Sequence, residues 1–216
     1  MSVVRQGGGS PASARDAAAP LAAMALVNRS VDSRISYLQA GYRADRSEAV
    51  SSVARIRRGA GRPAGENPDL WGLIGAEALY ERGWNEEEAG RAENAVHMAV
   101  TLWALHQQGH HAANMHVRNG PGLGAAVRRL MPDAAIDEPI RKRFVRAGMA
   151  TSVDALGTRL RELVLLLRRD DIGLDYGLLA SQLHQWQRPG GRAEVHRAWG
   201  RSFHSYGPVK SDEEKG

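Results

Sequence analysis

Five histidines fall between His97 and His116, and they are the side chains with the widest chemical repertoire in the chain. His106 and His110 are four residues apart, the spacing at which two imidazoles on one helical face can share a metal ion. With His111 and His116 they would form the ligand set of a metal-dependent hydrolase. Two features argue against that use. Gly109 should end the helix between the pair, and no Glu follows His106 to act as a general base. His106 also falls on an apolar helical stripe, where a hydrogen-bonded core imidazole is the expected reading. The sequence therefore predicts no metal site. No Ser-His-Asp order and no paired carboxylates mark another catalytic centre. Gly120, Gly122 and Gly124 lack the preceding strand of a dinucleotide fingerprint. They either offer backbone N–H groups to a phosphate at a helix start or form a plain turn.

The second kind of chemistry is electrostatic. Net charge is +5 with a pI near 10.0, and the only lysines are Lys142, Lys210 and Lys215. Nearly all positive charge is therefore arginine, whose planar fork matches phosphate and stacks on bases. A high-GC genome, which favours Arg codons, would give the same balance without any such role. The cations are clustered, however. Arg57 and Arg58, with Arg55 and Arg62, surround the end of a helix. Arg118, Arg128 and Arg129 flank the turn around Gly120. Arg141, Lys142, Arg143 and Arg146 form a third group. At 100° per residue, Lys142 and Arg146 stand opposite Ile140 and Phe144, and like charges at this spacing repel by roughly 0.2–0.5 kcal/mol. A polyanion would relieve that repulsion. The alternative is a solvated face paired with Asp137 and Glu138.

These residues must be carried by helices, because apolar positions recur at three and four and no segment alternates with period two. The expected fold is all-α, with two small helical lobes at about 31–120 and 121–206. The segment from Asn85 to Gln108 is its centre. Asn85 can cap it, Glu86, Glu87 and Glu88 suit the positive end of the dipole, and Gly109 suits the left-handed stop. One stripe holds Ala92, Ala95, Val96, Ala99, Leu102, Trp103 and His106, and a second holds Met98, Thr101 and Leu105, so other helices should cover it. A helix is expected from near Val31, another capped by Ser47, and a short one from Leu70 to about Tyr80. Further helices follow near Leu123, Asp137, Ser152 and Asp175, and a last one carries Val195, Trp199 and Phe203. Trp71, Trp103, Trp186 and Trp199 are expected in the core. Residues 1–30 are read as a disordered extension and 207–216 as a flexible tail. The apolar run Ala17–Val27 is short and broken by Pro20, so neither a signal peptide nor a membrane span is expected. With no cysteine in 216 residues, a thiolate metal site is excluded and a reducing cytoplasm fits.

A set of fragments in fixed order gives these pieces a family. They run from Arg57-Arg58-Gly59 through Leu70-Trp71 to Leu102-Trp103-Ala104-Leu105-His106-Gln107-Gln108. Met115-His116, Gly120 and Leu123-Gly124 follow, then Arg143-Phe144, Leu160-Arg161-Glu162-Leu163-Val164, Leu174-Asp175-Tyr176 and Trp199-Gly200-Arg201 with Phe203. Over roughly Val50 to Phe203 the chain resembles the CasB-type small subunit of the type I-E CRISPR surveillance complex, Cascade. It departs from that pattern in its long N-terminal extension and at Arg146-Ala147-Gly148, where a more apolar pair is expected.

The resemblance implies a non-enzymatic, cofactor-free helical subunit that assembles as a pair with the other Cascade subunits. Its implied nucleic-acid partners are CRISPR RNA and target DNA, above all the displaced strand. Carried over by position, Arg57, Arg58, Arg141, Lys142, Arg143 and Arg161 are the implied nucleic-acid contacts. Arg118, Arg128 and Arg146 join them on charge and position. A metal-dependent hydrolase and a plain helical scaffold are the alternatives.

Overall fold

Apolar stripes and side-chain caps divide the chain into helices, and the computed structural model describes residues 11–80, 83–131 and 135–205 of it. The helices are α1 (Pro11–Arg43), α2 (Ser47–Ile56), α3 (Glu77–Tyr80), α4 (Glu86–Gln107), α5 (Leu123–Arg129), α6 (Glu138–Gly148), α7 (Val153–Arg169), α8 (Tyr176–Trp186) and α9 (Gly191–Ser205). The fold is all-α. Among the described residues the nearest approach to a sheet is an isolated parallel bridge between His116 and Leu174.

Four helix starts follow the same chemistry. Asn85 accepts from the Glu88 N–H, Asp137 from Ile140, Ser152 from Ala155 and Asp175 from Leu178, all within 2.8–3.1 Å. Each cap satisfies a donor that the helix cannot pair internally, an effect of about 1 kcal/mol. Ser47 departs from expectation: Arg46 occupies the cap position and no side chain caps α2. Gly109 ends α4 with φ 85°, in the left-handed region expected for it.

Both predicted stripes of α4 are buried, and Trp103 is wholly enclosed. Helices α1, α7 and α8 pack around α4, with α2 against its side. Helix α8 lies against both α1 and α4, so a single apolar core joins the two halves of the chain across residue 120. Helices α5 and α9 pair closely, and α6 lies on α7. A Cβ on Gly124 would stand 2.1 Å from the Trp199 carbonyl oxygen, so the α5–α9 crossing requires glycine there.

Two expectations are corrected. The first helix starts at Pro11 rather than near Val31. Ala23, Val27, Val31, Ile35, Leu38 and Tyr42 form one buried stripe along it. Each fully buried Val, Ile or Leu contributes about 1.5–3 kcal/mol, which anchors the helix from Val27 onward. Residues 1–10 and 207–216 lie outside the described residues. The second correction concerns Leu70 to Tyr80. This segment is a 3-10 turn at Pro68–Leu70, an open turn, and only then the short α3. Gly72 and Gly75 take φ 71° and 78°, which breaks any continuous helix there. Trp71, expected in the core, is 75% exposed as a result.

Candidate nucleic-acid interface

The histidine group resolves into structural pairs. His106 is buried and its Nδ1 lies 2.9 Å from the Tyr176 hydroxyl. Burial, with a smaller contribution from the charge of His110, pushes its pKa down to about 3, so it is neutral near pH 7. His116 Nε2 meets Asp32 at 3.0 Å, and its Nδ1 accepts the Tyr176 N–H at 3.2 Å. That acceptor role at Nδ1 fixes the proton of the neutral ring on Nε2, facing the carboxylate. His110 pairs with Asp171, and His111 stacks on Tyr42. Among the described residues no three His, Asp or Glu side chains are placed to hold one metal ion.

The loop that follows α4 is held with equal completeness. Buried Gln39 donates to the His116 carbonyl and accepts from the His116 N–H and the Trp103 indole. Gln107 accepts from the Met115 N–H and donates to the Ala113 carbonyl. The glycine-rich turn is pinned too, because Asp175 accepts the Asn119 N–H while its own N–H goes to the Pro121 carbonyl. With Gly124 spent on the α5–α9 crossing and α5 only seven residues long, this turn is structural rather than a phosphate cradle.

The basic residues sort into those with partners and those without. Arg118 is largely exposed, but its Nε lies 3.2 Å from Asp32. Arg128 is half-buried and donates to the Met131 carbonyl at the end of α5. Arg141 grips Glu138 through Nε and Nη2 at 2.9 and 3.0 Å. That grip holds the Glu138 carboxyl below its usual range and raises the guanidinium in turn. For Arg141 the paired-face alternative therefore describes the geometry. Arg143 donates only to the Pro139 carbonyl. Among the described residues, exposed Lys142 and Arg146 form no hydrogen bond or ion pair.

Arg57 and Arg58 lie on the 3-10 turn Arg57–Gly59 that continues α2, and among the described residues neither side chain forms a hydrogen bond or ion pair. The turn then passes through Gly61 at φ 79°. The stem of Arg161 from α7 lies on Gly61, its Cδ 3.0 Å from where a Cβ would be. Gly157, one turn earlier on α7, faces the same backbone. The structure thus brings Arg161 beside the turn that carries Arg57 and Arg58, about a hundred residues away in sequence. Arg62 belongs to the same group, exposed and without a hydrogen-bond partner for its side chain among the described residues.

The α6 group has its own neighbour. Phe144 stacks on Phe203 at 5.4 Å and leans on Trp199 at 6.4 Å, which seats α6 against α9. Two exposed residues of α9, Arg197 and Arg201, lie four apart and carry no ion-pair partner. Neither was singled out from the sequence. Their i,i+4 repeat opposite Val195, Trp199 and Phe203 was the signal that would have found them.

Comparison with known proteins identifies the family. The family profile described as CRISPR-associated protein Cse2 matches residues 52–204. The crystal structure of CasB from Thermobifida fusca is 52% identical, covers 82% of this chain and 97% of its own, and superposes with a TM-score of 0.75. CasB from Thermus thermophilus is 23% identical over 81% of this chain and 97% of its own, with a TM-score of 0.58. A chain of a structure described as a CRISPR RNA-guided surveillance complex is 19% identical, covers 83% and 96%, and has a TM-score of 0.60. At these lower identities the likeness is one of fold. A comparison with curated protein sequences returns no match. With the family profile spanning residues 52–204 and 52% identity to a solved CasB over 82% of its length, this chain belongs to the Cse2 family of CRISPR-associated proteins.

Proposed function

We propose that this chain is a non-enzymatic small subunit of a type I-E surveillance complex and holds target DNA, mainly the displaced strand, while guide RNA pairs with its complement. The observation that carries the reading is a set of cations without carboxylate partners among the described residues: half-buried Arg57 with exposed Arg58 and Arg161 around one turn, and exposed Lys142 and Arg146 on α6. Side chains of this kind neutralise phosphates and carry no sequence information. Sequence is read by base pairing in such complexes, and R-loop formation is nearly balanced, so a few phosphate contacts tip it. Arg118, Arg128 and Arg141 contribute less, because each already spends hydrogen bonds within the chain.

The reading extends to location and partners. The subunit acts in the cytoplasm as one of a pair, beside the other Cascade subunits and the CRISPR RNA. The test is chemical probing of the displaced strand in complexes assembled with and without this chain. The reading expects unpaired bases of that strand to be protected only when the chain is present. Equal reactivity in both assemblies would overturn it.

A further inference from the structure

An open groove that avoids all the cations assigned above runs between α1, the start of α2 and residues 72–78. Its wider part, about 730 Å3, is lined by Arg29, Ser33, Arg34 and Tyr37 on one side and by Gly75 and Glu77 on the other. A narrower part of about 260 Å3 continues past Arg34 and Tyr37 to Arg46, Glu48 and Leu73. Arg34 and Tyr37 line both parts, so the two form one channel.

The middle of the channel is pre-arranged. Tyr37 is 55% exposed on a helix whose other face is core. The guanidinium carbons of Arg34 and Arg46 stand 6.0 and 5.9 Å from its ring centroid. Arg34 Nε donates to the Leu73 carbonyl at 2.8 Å, which fixes the fork and leaves its terminal nitrogens without hydrogen bonds. Neither arginine forms an ion pair, although Glu48 and Glu77 line the same groove. Nearby, Trp71 next to Gly72 and Tyr80 after Ala78 are also exposed. Arginine beside tyrosine or tryptophan is the composition of interface anchors.

We propose that this groove receives an extended segment of another subunit of the complex, one that sets a carboxylate between Arg34 and Arg46 and an apolar side chain on Leu73. Charge decides between a peptide and a nucleic-acid strand. A strand carries a phosphate on every nucleotide and would meet Glu77 in the wide part and Glu48 in the narrow part. A peptide places one carboxylate where the two arginines are and neutral or basic side chains elsewhere. The proposal rests on the reading of this chain as a subunit of a larger complex.

The test uses the full chain, tagged and co-expressed with the other subunits, alone or as Arg46→Glu or Tyr37→Ala. Both side chains are exposed, so thermal melts should match the unaltered chain. If Arg46→Glu disturbs the start of α2, Tyr37→Ala gives the reading by itself. Recovery of the other subunits should fall roughly tenfold or more, with affinity of the isolated chain for oligo-dT and its sedimentation unchanged. Full recovery by both variants would overturn the proposal. Lost oligo-dT affinity with full recovery would make the groove a strand site, and altered sedimentation with full recovery would make it a contact between copies. Both outcomes overturn it. Failure of the unaltered chain to recover any subunit would instead overturn the subunit reading on which the groove depends.

Discussion

The polar centre at the end of α4 and the basic surface of α6, α7 and the Arg57–Gly59 turn draw on the same residue chemistry and use it in opposite ways. In the centre, His116, Gln39 and Gln107 are held by hydrogen bonds within the chain, His106 Nδ1 bonds Tyr176, and Asp32 serves His116 and Arg118 together. Groups so engaged have little capacity left for a ligand, and burial makes their bonds costly to lose. On the surface, Arg58, Arg161, Lys142 and Arg146 have solvent and no partner. The difference teaches that capacity for chemistry in a sequence is not a site. A site needs groups that the fold has positioned but not satisfied.

The largest expected effect tests the buried side of this contrast. Trp103 is fully enclosed at the middle of α4, so Trp103→Ala should cost about 3–5 kcal/mol in denaturant unfolding. Trp71→Ala should change stability by less than about 0.5 kcal/mol, because three-quarters of that side chain is already in water. Equal losses at the two tryptophans would break the division between core and surface.

A smaller effect comes from pH. His106 is held down to about 3 in the folded chain against its ordinary 6.5, first by burial and then by His110. Below pH 6.5 the unfolded chain binds a proton that the folded chain refuses. Stability is therefore full above about 6.5 and falls as pH drops toward 3, by about 1.4 kcal/mol per pH unit for this group. His97 and His184 are also lowered by burial, His184 against the opposing pull of Glu88, and they act with the same sign. Urea melts across this range measure the slope. Arginine does not titrate there, so DNA affinity of still-folded protein should stay flat from about pH 9 to 6. A flat stability profile would show that His106 is not buried as a neutral ring.

The core was far more legible in the sequence than the candidate interface. Helix α4 carried every local signal at once: cap, acidic first turn, two stripes and a terminal glycine. Helix α1 was misplaced because Ala23 and Val27 read as part of a small-residue extension, while their burial depends on α8, far away in the chain. The expectation of a core Trp71 failed although Leu70 beside it is buried, since two left-handed glycines turn the segment outward. At the surface, charge clustering found Arg57, Arg58 and the α6 group. Local pattern could not show that Arg141 is engaged by Glu138, nor that Arg161 lies on Gly61. The second is a tertiary contact, and it is the one that turns separate cations into a group.

The central claim is that the unpartnered cations bind phosphate, and the most direct measurement is the salt dependence of DNA binding. Assembled complex carrying Arg58→Ala with Arg161→Ala, or Lys142→Ala with Arg146→Ala, should be titrated with matched target at several salt concentrations. Each lost single-strand contact lowers the log–log slope by about 0.7, so each pair should lower it by about 1.4. Preference among target sequences and the thermal melts should not change. An unchanged slope with unchanged affinity in both pairs would make these groups a solvated surface and contradict the account.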